Sequence, residues 1–299
     1  MLRAGSLPWS NFNWKNMSGR RDFLKSLTLV SGSVALGLSS ACKNTLKQKK
    51  LLAGIQLWTL RNEMGNDPEG TLKKLAVMGY DTLEAYGFDG QFYGRDAKEF
   101  SRFCAELGLE LISSHTGITD ENATAYARAA AEAGLEYLIL PSMMGRPEKS
   151  ADDFKRVAGE MNRIGAACKQ AGIKFGYHNH DFEFRELDGK LPYHILLEET
   201  DPSLVSFQPD LYWMVKAGQD PQEYFAAFPG RFTTWHLKDM GNDGDSCIIG
   251  NGSVDFKGYL MDRDQAGLEY IFVEQEQYAE GPPLYCAEQS LLYIRKNLL

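Results

Sequence analysis

The sequence is short of paired cysteines, of basic charge and of the glycine signature for dinucleotides, and each shortage removes a class of function. Its five cysteines stand singly at 42, 104, 168, 247 and 286 with no Cys-x-x-Cys pair, which excludes a cysteine metal framework. An oxidising compartment would permit a disulfide among the last four, whose pairing the spacing does not fix; buried free thiols are the expected state. Lys and Arg number 32 against 40 Asp and Glu, a formal charge of −8. So acidic a chain is a poor partner for nucleic acid, which is bound through basic patches. No Gly-x-Gly-x-x-Gly run occurs, and Gly250-Asn251-Gly252 reads as a turn, a phosphate contact being the lesser alternative.

What is present begins with a targeting pattern. Arg20-Arg21 is followed by Phe23-Leu24-Lys25 and by Ser26 to Ala41, a weakly apolar, charge-free segment too short to span a membrane as a permanent helix. The order resembles a cleavable twin-arginine export signal over residues 1–41. Cys42, directly after Ser39-Ser40-Ala41, resembles a bacterial lipoprotein acceptor, with Ser39 where such sites usually carry Leu. The expectation is an exported protein, periplasmic or tethered by lipid, whose only membrane contact is that anchor. Losing residues 1–41 removes five basic and one acidic residue and leaves 27 against 39, a charge of −12. Residues 42–50 form a linker, and the 249 residues from Leu51 to Leu299 suffice for one large core.

Within 51–299 the pattern repeats. Apolar runs at Leu52–Trp58, Thr82–Tyr86, Leu109–His115, Tyr137–Pro141, Ile173–His180, Val205–Asp210, Thr233–Lys238 and Tyr270–Glu276 read as strands. Helical periodicity fills the intervals, as over Asp120–Ala133 and Asp152–Ala171. Gly79, Gly108, Gly134, Gly172 and Gly267 stand just before strands, where glycine adopts the left-handed cap conformation at little cost. Eight strand and helix alternations without an internal break predict an α/β fold, a single parallel (β/α)8 barrel.

Chemistry concentrates at the ends of the later strands. On the fifth strand, alternation puts Gly176, His178 and His180 on one face and Phe175, Tyr177 and Asn179 on the other. Strand six ends in Gln208-Pro209-Asp210, strand seven contains His236-Leu237-Lys238, and strand eight runs Val273-Glu274-Gln275-Glu276. A carboxylate within an apolar run such as Ile271-Phe272-Val273-Glu274 is costly unless paired or metal-bound. Asp210, His236, Glu274 and one strand-five histidine would make a mixed N/O site suited to Mn²⁺, Zn²⁺, Co²⁺ or Mg²⁺. The alternative is a buried layer of ion pairs closed by Lys238.

These runs, Gly-Tyr-His-Asn-His-Asp-Phe-Glu-Phe at 176–184, Asp210-Leu211-Tyr212-Trp213, His236-Leu237-Lys238-Asp239 and Val273-Glu274-Gln275, resemble the sugar phosphate isomerase/epimerase group of xylose isomerase-like TIM barrels. Inosose dehydratases and endonuclease IV-type enzymes are related barrels. The resemblance covers the chain from Gly54-Ile55-Gln56-Leu57-Trp58 onward and implies that Asp210, His236 and Glu274 hold a divalent metal. Ketose epimerases carry a strand-five glutamate where His178 stands here, which departs from a symmetric two-carboxylate mechanism.

The resulting expectation is a metal-dependent isomerase or epimerase that abstracts a proton next to the metal-polarised carbonyl of a small carbohydrate. The alternative is a lyase eliminating the group β to the carbonyl of a keto-sugar or keto-glycoside. A phosphodiesterase is disfavoured by acidity, export and a sparse histidine set, and a barrel that only binds sugar is the third class. His180, Lys238 and Glu183 are the candidate acid and base groups, the alternatives being that Lys238 only neutralises carboxylates and that Glu183 is solvated in its loop. Glu84 and His115 are expected either to bind hydroxyls or to stand behind the ligands. Trp58 and Trp213 offer a sugar a flat apolar face or pack in the core.

Overall fold

The structure is a computed structural model that describes residues 50–299. The expected signal at 1–41 and Cys42 lie outside the described residues. Among the described residues, no helix is long and apolar enough to cross a membrane. The four cysteines there are free, and Cys104, Cys168 and Cys286 are buried.

All eight expected strands form: β1 (Ala53–Gln56), β2 (Thr82–Tyr86), β3 (Glu110–His115), β4 (Tyr137–Leu140), β5 (Lys174–His178), β6 (Val205–Gln208), β7 (Thr234–Leu237) and β8 (Tyr270–Val273). They pair in parallel in the order β6-β5-β4-β3-β2-β1-β8-β7. Between β6 and β7 there is no continuous ladder. Pro209 has no N–H to give, and the seam is joined by a bridge between Asp210 and His236, with His236 N donating to Pro209 O at 3.0 Å. The barrel is therefore nearly closed, and its closing contact uses two of the residues expected to bind metal.

Several strands stop one to three residues earlier than their apolar runs suggest. Asp210, Lys238, Glu274 and Glu276 lie just past the ladders, where the backbone turns into the loops of the barrel's C-terminal rim. The glycine caps behave as expected, with φ from +79° to +100° at Gly79, Gly108, Gly134, Gly172 and Gly267. The long helix Ala151–Gln170 shows how the outer layer is specified. Ser150 caps it through Asp153 N, Asp152 and Asp153 complement its N-terminal dipole, and Phe154, Val157, Met161, Ile164 and Cys168 recur on its buried face.

Inside the barrel a lower layer of Ile112, Tyr137, Ile139, Tyr270 and Phe272 is apolar. Gly54 makes room for it, since a Cβ there would lie 2.6 Å from Phe272 Cδ1 and 2.5 Å from Ile271 O. Above that floor the inward positions become polar: Gln56, Glu84, Ser113, His115, His178, Gln208 and His236 are all buried. A packed floor below and a polar layer above place the chemistry at the C-terminal mouth.

Candidate metal centre and catalytic pocket

The expected ligand set comes together. Ligand atoms of His178, Asp210, His236 and Glu274 all lie within 4.8 Å of one another, and all four residues are buried. In these residues His178 Nδ1 and Asp210 Oδ2 are buried without a hydrogen bond, although Lys238 Nζ stands 3.5 Å from the Asp210 oxygen. Buried polar atoms without a hydrogen bond are costly in a native protein, and two of them in one His/Asp/Glu cluster fit a cation. His115 forms a second triplet with His178 and His236 on the same scale.

His236 is held at both ring nitrogens. Nε2 lies 2.5 Å from Glu84 Oε1 and Nδ1 lies 3.1 Å from Glu274 Oε2. Burial alone would lower its pKa, but the charges of Glu274 and Glu84 raise it to about 10. Burial would likewise raise the Glu84 carboxyl, yet His115 and His236 hold it well below the usual carboxylate range. Burial pushes Asp210 up to about 6 against the pull of Lys238, whereas Glu274 is held well below its ordinary value by Lys238 and His236 despite burial.

Glu84 is the hub beneath this cluster. It accepts from Gln56 Nε2 at 2.8 Å, from Gln208 Nε2 at 2.9 Å and from Ser113 Oγ, and His115 Nε2 is 3.2 Å away. Of its two expected roles, the geometry favours standing behind the ligands: the residue is wholly buried and its oxygens are occupied. His115 does reach the pocket wall, with Nε2 2.8 Å from Gln208 Oε1.

The candidate acid and base groups have three different surroundings. His180 lines the pocket with a buried, unpartnered Nδ1, its ring 5.1 Å from that of His178. Burial and the Lys238 charge lower its pKa to about 4, so it is neutral at pH 7. Lys238 is wholly buried, 2.7 Å from Glu276, 3.4 Å from Glu274 and 3.5 Å from Asp210, above the rings of Tyr212 and Trp213. Its pKa is raised: burial acts downward, and the carboxylates outweigh it. Glu183 lies away from the pocket. It accepts from Tyr177 OH at 2.6 Å and from His180 N at 2.9 Å. Because Tyr177 faces outward from β5, this carboxylate braces the His180 turn from behind the strand.

The pocket has a volume of about 410 Å³, and its wall includes Trp58, Tyr86, His115, Met144, Glu274 and Glu276. Trp58 is at its mouth, while Trp213 packs against His180 at 5.7 Å and is not part of the lining. Asp239 fills the Gly250-Asn251-Gly252 turn, its Oδ2 accepting from Gly250 N at 2.8 Å and Gly252 N at 3.1 Å. The turn reading applies, and the donors that a phosphate would need are taken. Sequence reasoning passed over Gln56, Ser113, Gln208, Tyr86 and Glu276. The glutamines carried a usable signal, since each is a polar residue at the end of an apolar run, as Glu274 is.

An eight-stranded parallel barrel with a His/Asp/Glu cluster that could hold a metal ion at its C-terminal mouth defines the class of fold and site. The comparisons narrow that class: residues 72–296 match the Xylose isomerase-like TIM barrel family, and the chain belongs to it. It is 26% identical to the inosose dehydratase of Geobacillus thermodenitrificans over 84% of this chain and 98% of that protein. Against the inosose dehydratase of Geobacillus kaustophilus the identity is 24%, over 75% of this chain and 85% of that one. A solved sugar phosphate isomerase/epimerase from Parabacteroides distasonis superposes with a TM-score of 0.74 at 29% identity, covering 84% of this chain and 96% of that one. The chain is an enzyme of the isomerase/epimerase or dehydratase type.

Proposed function

We propose that the enzyme is a divalent-metal-dependent carbon–oxygen lyase that acts on a keto-sugar or keto-polyol by proton abstraction next to the carbonyl. The observation that carries this reading is an asymmetry among the available bases. His180 lines the pocket as a neutral imidazole whose buried Nδ1 has no hydrogen-bond partner, whereas His178 stands at the strand-five position and Glu274 is engaged by His236 and Lys238. One free base suits elimination, while epimerisation needs proton donors on both faces of the substrate. The inosose dehydratases among its relatives are named for an elimination of water.

A divalent ion held by His178, Asp210, His236 and Glu274 would polarise the carbonyl and stabilise enolate charge. The mixed imidazole and carboxylate donors favour Mn²⁺, Zn²⁺ or Co²⁺ over the oxygen-seeking Mg²⁺. His180 removes the proton on the carbon beside the carbonyl. The electron pair left there forms the C=C bond as the bond to the β oxygen breaks, and the imidazolium returns its proton to the departing oxygen. Lys238, locked among Asp210, Glu274 and Glu276, balances the carboxylates and holds Glu276 at the pocket wall. Glu84 keeps His236 and His115 oriented, and Glu183 holds the His180 turn.

Isomerisation or epimerisation is the second reading, supported by the name of the Parabacteroides relative. It would need Glu276 as the partner of His180 across the substrate. The product separates the two. The metal-loaded enzyme, given a panel of keto-sugars, should release water or an alcohol together with an unsaturated ketone, as read by mass spectrometry. Product of substrate mass alone would sink the lyase reading and leave the isomerase one.

A further inference from the structure

We propose that the substrate is an uncharged keto-glycoside whose aglycone lies across Trp58, Tyr86 and Met144 and is attached through oxygen at the carbon β to the carbonyl, so that the departing group is the aglycone alcohol. This rests on the elimination reading above and names its substrate class. Two independent features of the pocket lead to it. The first is charge. The lining contains no lysine or arginine but includes the carboxylates of Glu274 and Glu276. The nearby cations are committed elsewhere: Lys238 is buried against Glu276, and Arg61 donates to Trp58 O at 3.2 Å, Glu276 O at 3.3 Å and Tyr278 OH at 3.4 Å. A phosphate on the sugar would face two carboxylates and lack the paired donors that such groups are normally given.

The second feature is an exposed apolar rim. Trp58 and Met144 are 40% and 52% exposed, and both lie on the wall of this pocket. Large apolar side chains gathered at a pocket mouth mark a surface that a ligand covers. The Trp58 ring is fixed before any ligand arrives. It meets Tyr86 edge-on at 5.0 Å, Tyr86 meets Tyr93 edge-on at 5.6 Å, and the Arg61 guanidinium is 5.3 Å from the indole centroid. A pre-set aromatic platform binds a flat or apolar group with little ordering cost. Trp58, Tyr86 and Met144 line the same pocket as His178, His180 and Glu274, so a glycoside with its sugar at the cluster has this platform for its aglycone.

Calorimetry with the phenyl and methyl glycosides of one keto-hexose and with the 6-phosphate of the methyl keto-glycoside, on metal-loaded His180→Asn protein so that nothing turns over, tests the proposal on binding alone. The phenyl glycoside should bind about tenfold more tightly than the methyl glycoside, and the phosphate should not bind measurably. Trp58→Ala should abolish the phenyl advantage and leave methyl glycoside affinity within about twofold. If that variant does not fold, Met144→Ala, at an exposed rim position, should reduce the same advantage. Equal phenyl and methyl affinities, binding of the phosphate as tight as that of the glycosides, or no glycoside binding would each overturn the proposal. An epimerase that keeps the phenyl preference would overturn the elimination reading and with it the departing group, leaving the aglycone platform standing, and a lyase without the preference would overturn only the aglycone assignment.

Discussion

His236 is gripped by carboxylates at both nitrogens, and this fixes how the centre responds to pH. In the metal-free protein Glu274 and Glu84 hold its pKa at about 10, so the ring carries a proton throughout the neutral range. A metal ligand must be the neutral imidazole, and so each ion bound near pH 7 should expel about one proton from His236. Affinity should therefore rise with pH toward 10. It should fall further below pH 6, where Asp210 also takes up a proton. Calorimetry of metal binding in buffers of different ionisation enthalpy measures the released proton directly, and pH-independent affinity between 6 and 9 would contradict the account.

His180 should behave differently from the ligands. Its replacement by Asn removes the base and leaves the four-residue cluster intact. Turnover should drop by about 10²–10⁴-fold while metal content is unchanged. A variant that lost its metal would identify His180 as a ligand instead.

At the scale of elements, β5 and the β6–β7 seam decide the site. The alternation of Gly176 and His178 against Phe175 and Tyr177 was legible in the sequence because a strand buried on both faces still obeys a period of two. Legible for the same reason were Asp210 and Glu274, ionisable groups set at the ends of apolar runs. The role of Glu183 was not. Its place depends on the turn after β5 folding back so that Tyr177 OH meets the carboxylate, a contact that no periodicity announces. Glu84 sat in plain view in β2, but its five polar neighbours come from β1, β3, β6 and β7, so only the closed barrel reveals a hub. For Lys238 the sequence left two readings open, an acid and a counter-charge to carboxylates, and three carboxylates surround it in the closed barrel.

Packing of the barrel floor makes its own prediction. Gly54 of β1 lies against Phe272 of β8 so closely that a methyl group would collide with backbone as well as ring. Gly54→Ala should destabilise the fold by about 1–3 kcal/mol through overpacking, seen as a lower urea midpoint with an unchanged slope. A neutral effect would mean that the floor is less tightly packed than described.

Across the whole molecule, the barrel was the most readable feature, since eight apolar runs punctuated by capping glycines leave few other architectures. Strand ends were the least readable, because an apolar run does not stop where its hydrogen-bond ladder does, and the reactive residues occupy that difference. Residues 1–49 lie outside the described residues, and their sequence carries a separate proposal: export through Arg20-Arg21 and lipid attachment at Cys42. Radiolabelled fatty acid should enter the wild type and not Cys42→Ala, and equal labelling would remove the anchor.

The metal centre is the claim on which the rest depends, and metal analysis of the purified enzyme tests it most directly. Wild-type protein loaded with Mn²⁺, Zn²⁺ or Co²⁺ and then desalted should retain about one equivalent of ion. His236→Ala, which removes one of the four proposed ligands and keeps the backbone bridge across the β6–β7 seam, should retain little of it while still showing the circular dichroism of a folded barrel. A folded His236→Ala protein holding a full equivalent would contradict the assignment of the centre.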